Sequence, residues 1–160
     1  MVSPLVTKIK KSLKLYWNAT IRKKYEADLI NFLLYVAIAH HIDYDLGEHR
    51  PSFSSKALPS RNIIIINTNY YKAKELPFVI GHEIAHIIHQ DDIAICTDPN
   101  AKRPCEHTAN VYSVDLIHAY AKIYGRNNFV TPTAFLSYYD IPDKMYKYST
   151  RFFNYNSPHQ

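Results

Sequence analysis

One predicted helix carries the pattern that most restricts how this chain folds. Between residues 75 and 90 the sequence has helical periodicity, with His82 and His86 four positions apart. Residues at that spacing stand one above the other on one face of an α-helix. The opposite face collects four apolar side chains, Ile80, Ile84, Ile87 and Ile88. We therefore expect the isoleucines to anchor this helix in a core while the histidines point out of it.

The same helix has the residues of a hydrolytic metal site. The stretch His82-Glu83-Ile84-Ala85-His86 reads H-E-x-x-H, and its two imidazoles can hold one zinc ion together. Glu83 lies about 100° around the helix from His82, so it flanks the metal face instead of ligating. From that position its carboxylate can act as a general base on a metal-bound water.

A catalytic zinc also needs a third protein ligand and an open position. His89 shares the metal-side face but lies about 10 Å along the axis from His82, so we expect it at the rim or as an ordinary surface histidine. Glu106, at the start of the next predicted helix, is the better candidate. Asn110 follows on the same face, where it can hydrogen-bond a ligand. The alternative for Glu106 is a first-turn acid that the helix dipole favours.

The remaining pattern predicts an α+β fold with a small antiparallel sheet packed on helices. The predicted helices span residues 4–17, 21–40, 75–90 and 105–124, followed by a C-terminal pair at Phe135–Ile141 and Asp143–Phe153. The predicted strands are Ile42–Leu46, Ser52–Lys56 and Asn62–Asn67. The last strand contains Ile63-Ile64-Ile65-Ile66, which we expect to be buried on both faces. We place a core in residues 1–125 and a helical hairpin, packed on that core, in residues 126–160.

Composition excludes several classes of protein. The 160 residues are 47% hydrophobic and 21% charged, which is typical of a globular domain and not of a disordered chain. Only 3 glycines occur, and neither G-x-G-x-x-G nor the P-loop pattern is present, so dinucleotide and P-loop sites are poor candidates. The net charge of +5 permits an acidic partner without requiring one.

Location and redox state follow from the same sequence. The longest nearly apolar stretch, Leu29 to Ala39, is interrupted by Asn31 and is too short for a bilayer. The N-terminus lacks the features of a secretory signal, so we expect a cytoplasmic protein with no membrane partner. In that compartment Cys96 and Cys105 are expected to stay reduced, with Cys105 a small buried residue and not a metal ligand.

Three segments together resemble the ImmA/IrrE-type metallopeptidases. They are the strand Ile63–Asn67, the stretch Phe78–His86 with His89 beyond it, and Glu106-His107-Thr108-Ala109-Asn110. Their order and spacing match the family over roughly residues 25–155, including a C-terminal helical pair. The chain departs from the family after Asn110, where the usual Phe-Ala-x-x-Leu-Leu-Met-Pro run is replaced by residues 111–119, without the closing Met-Pro.

The resemblance implies a minimal zincin-like fold of the gluzincin kind. It implies one zinc per chain, held by His82, His86 and Glu106, with Glu83 as the base. Members of the family are commonly encoded in phages and mobile elements, beside a helix-turn-helix repressor that they help to inactivate by cleavage. The implied function is therefore a zinc-dependent endopeptidase with a transcriptional repressor, or a similar regulatory protein, as its substrate.

Some features of the site remain open at this level. The donor for a developing oxyanion is one of Tyr112, His118, Tyr138 and Tyr139. An edge of the sheet, at the strand Ile63–Asn67 or the one before it, offers a place for an extended substrate.

Two other functions compete with proteolysis. One is a zinc-containing binding module that antagonises a repressor by direct contact, although such a module has no need of Glu83. The other is direct binding of nucleic acid, which we do not favour. The second helix of the C-terminal pair carries only Lys144, Lys147 and Arg151 as basic residues.

Overall fold

The computed structural model of the chain describes residues 29–90, 102–124 and 128–153. Within them, five α-helices and a small sheet confirm the predicted α+β class. In chain order the elements are α1 (Leu29–Ala39), β1 (Asp43–Gly47), β2 (Lys56–Leu58), β3 (Ile63–Asn67), α2 (Leu76–Ile88), α3 (Lys102–Ile123), α4 (Pro132–Tyr138) and α5 (Tyr146–Ser149). The helix predicted over residues 4–17 and the first part of the one predicted over 21–40 lie outside the described residues.

The sheet is mixed, so the prediction of an antiparallel sheet was wrong. Its strand order is β1-β3-β2, with β1 parallel and β2 antiparallel to the central strand. The prediction paired consecutive strands, but β1 and β2 are not neighbours. The chain leaves β1, crosses to the far edge as β2, and returns as β3 through the tight turn Pro59–Arg61. Two reversals separate β1 from β3, so these two strands run in the same direction.

The segment before β2 is irregular because one side chain takes over its backbone hydrogen bonds. The fully buried Asn67 donates from Nδ2 to the carbonyl oxygens of Arg50 and Phe53, both at 2.9 Å. The backbone N–H of Asn67 in turn donates to Ser55 Oγ. Such side-chain bonds compete with a strand ladder. The strand predicted at Ser52–Lys56 is therefore replaced by a loop and a shorter strand that begins at Lys56.

The isoleucine run of β3 has one fully buried face. Ile64 and Ile66 are 0% exposed, whereas Ile63 and Ile65 are only half-buried, so burial on both faces was an overestimate. The buried face joins the apolar faces of α1, α2 and α3 in a single core. Its largest fully buried side chains include Phe32, Leu33, Ile80, Ile84, Leu116, Ile117, Tyr120 and Phe135.

Helices α2 and α3 approach each other closely at a glycine. A Cβ atom on Gly81 would lie 2.5 Å from Ser113 Oγ and 3.1 Å from Ser113 Cα, so only glycine fits there without a shift. Ser113 Oγ also donates to the carbonyl oxygen of Phe78 at 2.7 Å. This contact packs α2 against α3 and sets the distance between them.

The C-terminal segment is less regular than predicted. Thr131 caps α4 by accepting from the Ala134 N–H, with Pro132 in the first turn, so this helix begins before the predicted Phe135 and ends at Tyr138. The second predicted helix, Asp143–Phe153, is instead a 3-10 turn, the short helix α5 and another 3-10 turn. The predicted boundary between core and hairpin falls at residues outside the described ranges and stays a prediction.

This segment is held to α3 by a polar cluster and a ring stack. Tyr148 donates its hydroxyl to both carboxylate oxygens of Asp115, at 3.0 and 3.1 Å, and Arg151 forms an ion pair with the same carboxylate. His118 stacks on Phe152 with ring centroids 3.8 Å apart. These contacts fix the position of the whole C-terminal segment relative to α3.

Candidate metal centre

Helix α2 presents its two histidines to the same point in space. The Nε2 atoms of His82 and His86 lie 3.0 Å apart, and the two rings meet edge to face with centroids 4.6 Å apart. Their side chains are 15% and 12% exposed, so both are mostly buried but open to a cleft. The helical spacing therefore places the pair as the sequence predicts.

Helix α3 brings Glu106 to the same point. Its Oε2 lies 3.3 Å from His82 Nε2, and its Oε1 lies 3.8 Å from His86 Nε2. One potential ligand atom from each of the three residues falls within 4.8 Å of the others. Among the described residues this is the one group of His, Cys, Asp and Glu side chains arranged to hold a metal ion. The Glu106 side chain is 44% exposed, so the group faces solvent on that side.

The donor set fits a single transition-metal ion. Bonds of about 2.0–2.1 Å from a tetrahedral ion place neighbouring donor atoms about 3.3 Å apart. The separations of 3.0, 3.3 and 3.8 Å bracket that value without rearrangement of either helix. Two imidazoles and one carboxylate leave a fourth position, which is the composition of hydrolytic and not of closed structural sites.

Asn110 orients His82 from one turn further along α3. Its Oδ1 lies 3.1 Å from His82 Nδ1. An amide oxygen only accepts, so Nδ1 carries the proton and the Nε2 lone pair points toward Glu106. Burial lowers the pKa of His82, the neighbouring His86 lowers it further, and Glu106 acts in the opposite direction. A neutral imidazole is the form that binds metal.

Glu83 lies beside the three-residue group and outside it. The side chain is buried, with a residue exposure of 8%, and its carboxylate accepts a hydrogen bond from the backbone of Ala57 on β2. The pKa of Glu83 is raised to about 7, mainly by burial. Glu106 also raises this pKa, whereas His86 and the hydrogen bond from Ala57 lower it. A carboxyl group with that pKa can both accept and release a proton near neutral pH.

These residues line a cleft of about 680 Å³. The cleft is also lined by residues just before and within β2, by residues ahead of α2, and by the C-terminal segment. Examples are Ser55, Ala57, Tyr70, Glu75, Pro142 and Lys144. Strand β2 is an edge of the three-stranded sheet and forms one wall. Most of the residues that line the cleft are polar or charged, and an edge strand runs along the wall beside the metal-binding group.

Five other residues proposed from the sequence do not line the cleft. His89 is exposed at the end of α2 with its ring against Tyr112. His118 is buried three turns beyond Glu106, under the C-terminal segment. Tyr138 is 60% exposed, and Tyr139 is buried among the aromatic rings around Phe135. Tyr112, the fifth, has its ring against His89 and also lies outside the cleft lining.

The redox state of Cys105 differs from the expectation. It is disulfide-bonded, and no described cysteine is free. A disulfide sulfur has no thiolate to offer a metal, so Cys105 is not an alternative ligand beside Glu106. The other cysteine of the chain, Cys96, lies outside the described residues.

The structure also adds residues that sequence reasoning did not select. Tyr70, Ala57 and Lys144 line the cleft, but they stand in loops, an edge strand and a 3-10 turn. None belongs to a spaced motif, and only packing between distant segments brings them to the site. Lys144 drew attention only as one of few basic residues near the C-terminus.

A comparison of the chain with protein-family models, curated proteins and solved structures finds no match. Within the described ranges, no helix has the length and apolar character needed to cross a membrane.

Proposed function

We propose that the protein is a zinc-dependent endopeptidase of the ImmA/IrrE type, with a minimal zincin-like fold. The observation that carries the proposal is the convergence of His82, His86 and Glu106, with Glu83 beside them in one cleft. The sequence motif and the three-dimensional geometry select the same four residues. The fourth position of the donor set and the buried carboxyl group are both features of hydrolytic sites.

The chain's own residues supply binding and proton transfer. His82, His86 and Glu106 would hold the zinc ion, which when bound supplies Lewis acidity and lowers the pKa of water. Glu83 takes a proton on its carboxylate as the water oxygen bonds to the peptide carbonyl carbon. The same carboxyl group then delivers that proton to the amide nitrogen as the C–N bond breaks. The hydrogen bond from Ala57 keeps the Glu83 carboxylate oriented during both transfers.

The substrate would bind as an extended strand along β2. This strand has one hydrogen-bonded strand neighbour, β3, among the described residues, and it forms a wall of the cleft. A peptide added at that edge passes Ala57, and therefore Glu83. From the resemblance, we propose that the natural substrate is a transcriptional repressor with an extended segment between its folded parts.

Metal content tests the first part of the proposal. Mass spectrometry of the purified, zinc-reconstituted chain is expected to show one zinc per chain. A chain that takes up no zinc would refute the metallopeptidase assignment.

Cleavage tests the second part. The chain is co-expressed with the repressor encoded beside it, as the parent, as Glu83→Gln, and as Glu48→Gln, an exposed acid outside the cleft. We expect a discrete repressor fragment with the parent and with Glu48→Gln, and none with Glu83→Gln, which keeps its zinc. Relief of repression by all three forms with the repressor intact would instead support a non-proteolytic binding module.

A further inference from the structure

One basic side chain in the cleft is not used by the proposed chemistry. Lys144 lines the cleft together with His82, Glu106 and Asn110. It comes from the 3-10 turn Asp143–Met145, which packs against α3. It therefore enters the cleft from the C-terminal segment, whereas Glu83 is tied to β2 through Ala57.

The backbone that carries Lys144 is firmly placed. Ile141 and Met145 on either side of it are 4% and 3% exposed, and the Met145 N–H donates to the Pro142 carbonyl at 2.9 Å. The residues that follow are tied to Asp115 on α3 through Tyr148 and Arg151. The Lys144 side chain is exposed. A fixed backbone with an exposed ammonium group keeps a positive charge at the mouth of the site.

Within the part of the chain that the structure describes, no carboxylate neutralises the charge of the Lys144 ammonium group. The Lys72 ammonium lies 3.2 Å from Glu75, and the Lys56 ammonium lies over the Phe53 ring at 5.4 Å from its centroid. Among the described residues, no ion pair joins Lys144 to an acid.

Peptide hydrolysis creates a negative charge in this region. When the water oxygen bonds to the carbonyl carbon, the C=O electrons move onto the carbonyl oxygen, and they return when the C–N bond breaks. A preorganised cation or donor beside that oxygen lowers the barrier more than it strengthens substrate binding. The tyrosines and the histidine that the sequence suggested for this task do not line the cleft.

We propose that the Lys144 ammonium stabilises the negative charge that develops on the carbonyl oxygen of the scissile peptide. The inference rests on the proposed metallopeptidase function and adds a catalytic residue to it. Lys144 acts from the α3 side of the cleft, and Glu83 moves the proton from the β2 side.

The test uses the full chain loaded with cobalt(II), whose visible spectrum reports ligands at the metal. Acetohydroxamate, a small anionic probe, is titrated into the parent, Lys144→Met, Lys144→Arg and Lys147→Met. Lys147 is exposed on the same segment and does not line the cleft, so it is the matched control. We expect Lys144→Met to raise the dissociation constant about tenfold, Lys144→Arg to recover part of the loss, and Lys147→Met to match the parent.

The outcomes separate this inference from the function on which it rests. Equal affinity of the parent and Lys144→Met for the probe overturns the role of Lys144 and leaves the metal site standing. An equal loss in Lys147→Met also overturns it, since the effect would then be one of general charge. A parent chain that binds no cobalt refutes the metallopeptidase proposal, and the Lys144 inference with it. On a cleaved substrate, Lys144→Met is expected to lower kcat about a hundredfold with little change in KM.

Discussion

At the scale of single residues, the site depends on side chains that contact one another across two helices. Glu106 completes the group that His82 and His86 begin, and Asn110 orients His82 through Nδ1. Glu106 and Asn110 are four positions apart, so a single helical face supplies both the ligand and the residue that positions its neighbour. Removing Glu106 should therefore affect zinc binding more than removing Asn110.

Replacing Glu106 by alanine should abolish tight zinc binding, because two imidazoles alone make a poor site. Zinc bound to the folded form stabilises it by linkage, so a chelator is expected to lower the Tm of the parent and leave that of the variant unchanged. Zinc titration and thermal unfolding measure the two effects. A stoichiometric, undiminished zinc content in Glu106→Ala would place the third ligand elsewhere, with the neighbouring His107 the first residue to examine.

Replacing Asn110 by alanine should weaken zinc binding by about 10- to 100-fold without abolishing it. The variant keeps all three ligands but loses the hydrogen bond that orients His82. Competition with a chromogenic chelator measures the affinity, and Thr108→Ala, at an exposed neighbour, is the control. Equal zinc affinity of Asn110→Ala and the control would show that the contact with His82 does not position the ligand.

At the scale of elements, the distance between α2 and α3 controls the site. Gly81 lies directly before His82 and faces Ser113, and a side chain at this position would push the two helices apart. The Glu106 carboxylate lies only 3.3 Å from His82 Nε2, so a small displacement of α3 changes the ligand geometry. Packing at one glycine therefore affects the metal centre through the backbone of both helices.

Gly81→Ala is expected to destabilise the fold by about 1–2 kcal/mol, because overpacking outweighs the gain in helix propensity. The same change should weaken zinc binding, although no ligand is altered. Denaturant unfolding and zinc titration measure the two effects. Adding Ser113→Gly removes the Oγ and Cβ atoms that the new methyl group meets, so the double variant should recover most of the zinc affinity. Unchanged zinc affinity in Gly81→Ala would show that the helices tolerate the shift.

At the scale of the whole molecule, the C-terminal segment completes both the core and the cleft. It buries His118 under Phe152 and carries Lys144 to the site. Burial, together with the charges of Lys122 and Arg151, lowers the pKa of His118 to about 4. The Nε2 atom of His118 is buried with no hydrogen-bond partner among the described residues. Protonating this ring would therefore oppose docking of the segment on α3.

The stability of the fold is expected to depend on His118 in mildly acid solution. In the unfolded chain His118 titrates near 6.5, and in the folded chain near 4, so the contribution of the neutral ring is complete above pH 6.5 and is lost as the pH falls toward 4. The full loss amounts to about 3.5 kcal/mol, at about 1.4 kcal/mol per unit of pKa, and about 3 kcal/mol of it is reached at pH 4. Denaturant unfolding of the parent and of His118→Phe across this range measures the difference.

The comparison of the two proteins isolates His118 from other titrating groups. Burial raises the pKa of Asp115 to about 6, so its contribution falls as the pH rises and opposes that of His118. This contribution and the protonation of the metal ligands are common to both proteins and cancel. The variant should gain stability relative to the parent on going from pH 7 to pH 4. A difference that stays constant across this range would contradict the prediction.

Local periodicity was sufficient for the helices that carry the site. The presence of α2 and α3, the shared face of His82 and His86, and the pairing of Glu106 with Asn110 follow from 3.6 residues per turn, which is a property of neighbours in sequence. The start of α3 does not follow from it, since the helix begins at Lys102 and not at the predicted residue 105. The cap of α4 is also a contact between near neighbours in sequence, Thr131 and Ala134. Each of these features involves residues within about one turn of each other, so no knowledge of the rest of the molecule is needed.

Features that join distant segments were decided only by the tertiary structure. The parallel pairing of β1 with β3, the loop that Asn67 holds and the contact between Gly81 and Ser113 each depend on which surfaces pack together. The same reason explains why Lys144 reaches the cleft while Tyr138, Tyr139 and His118 do not. The sequence determines which face of a helix a side chain occupies, but the packing of apolar surfaces between elements determines what that face meets.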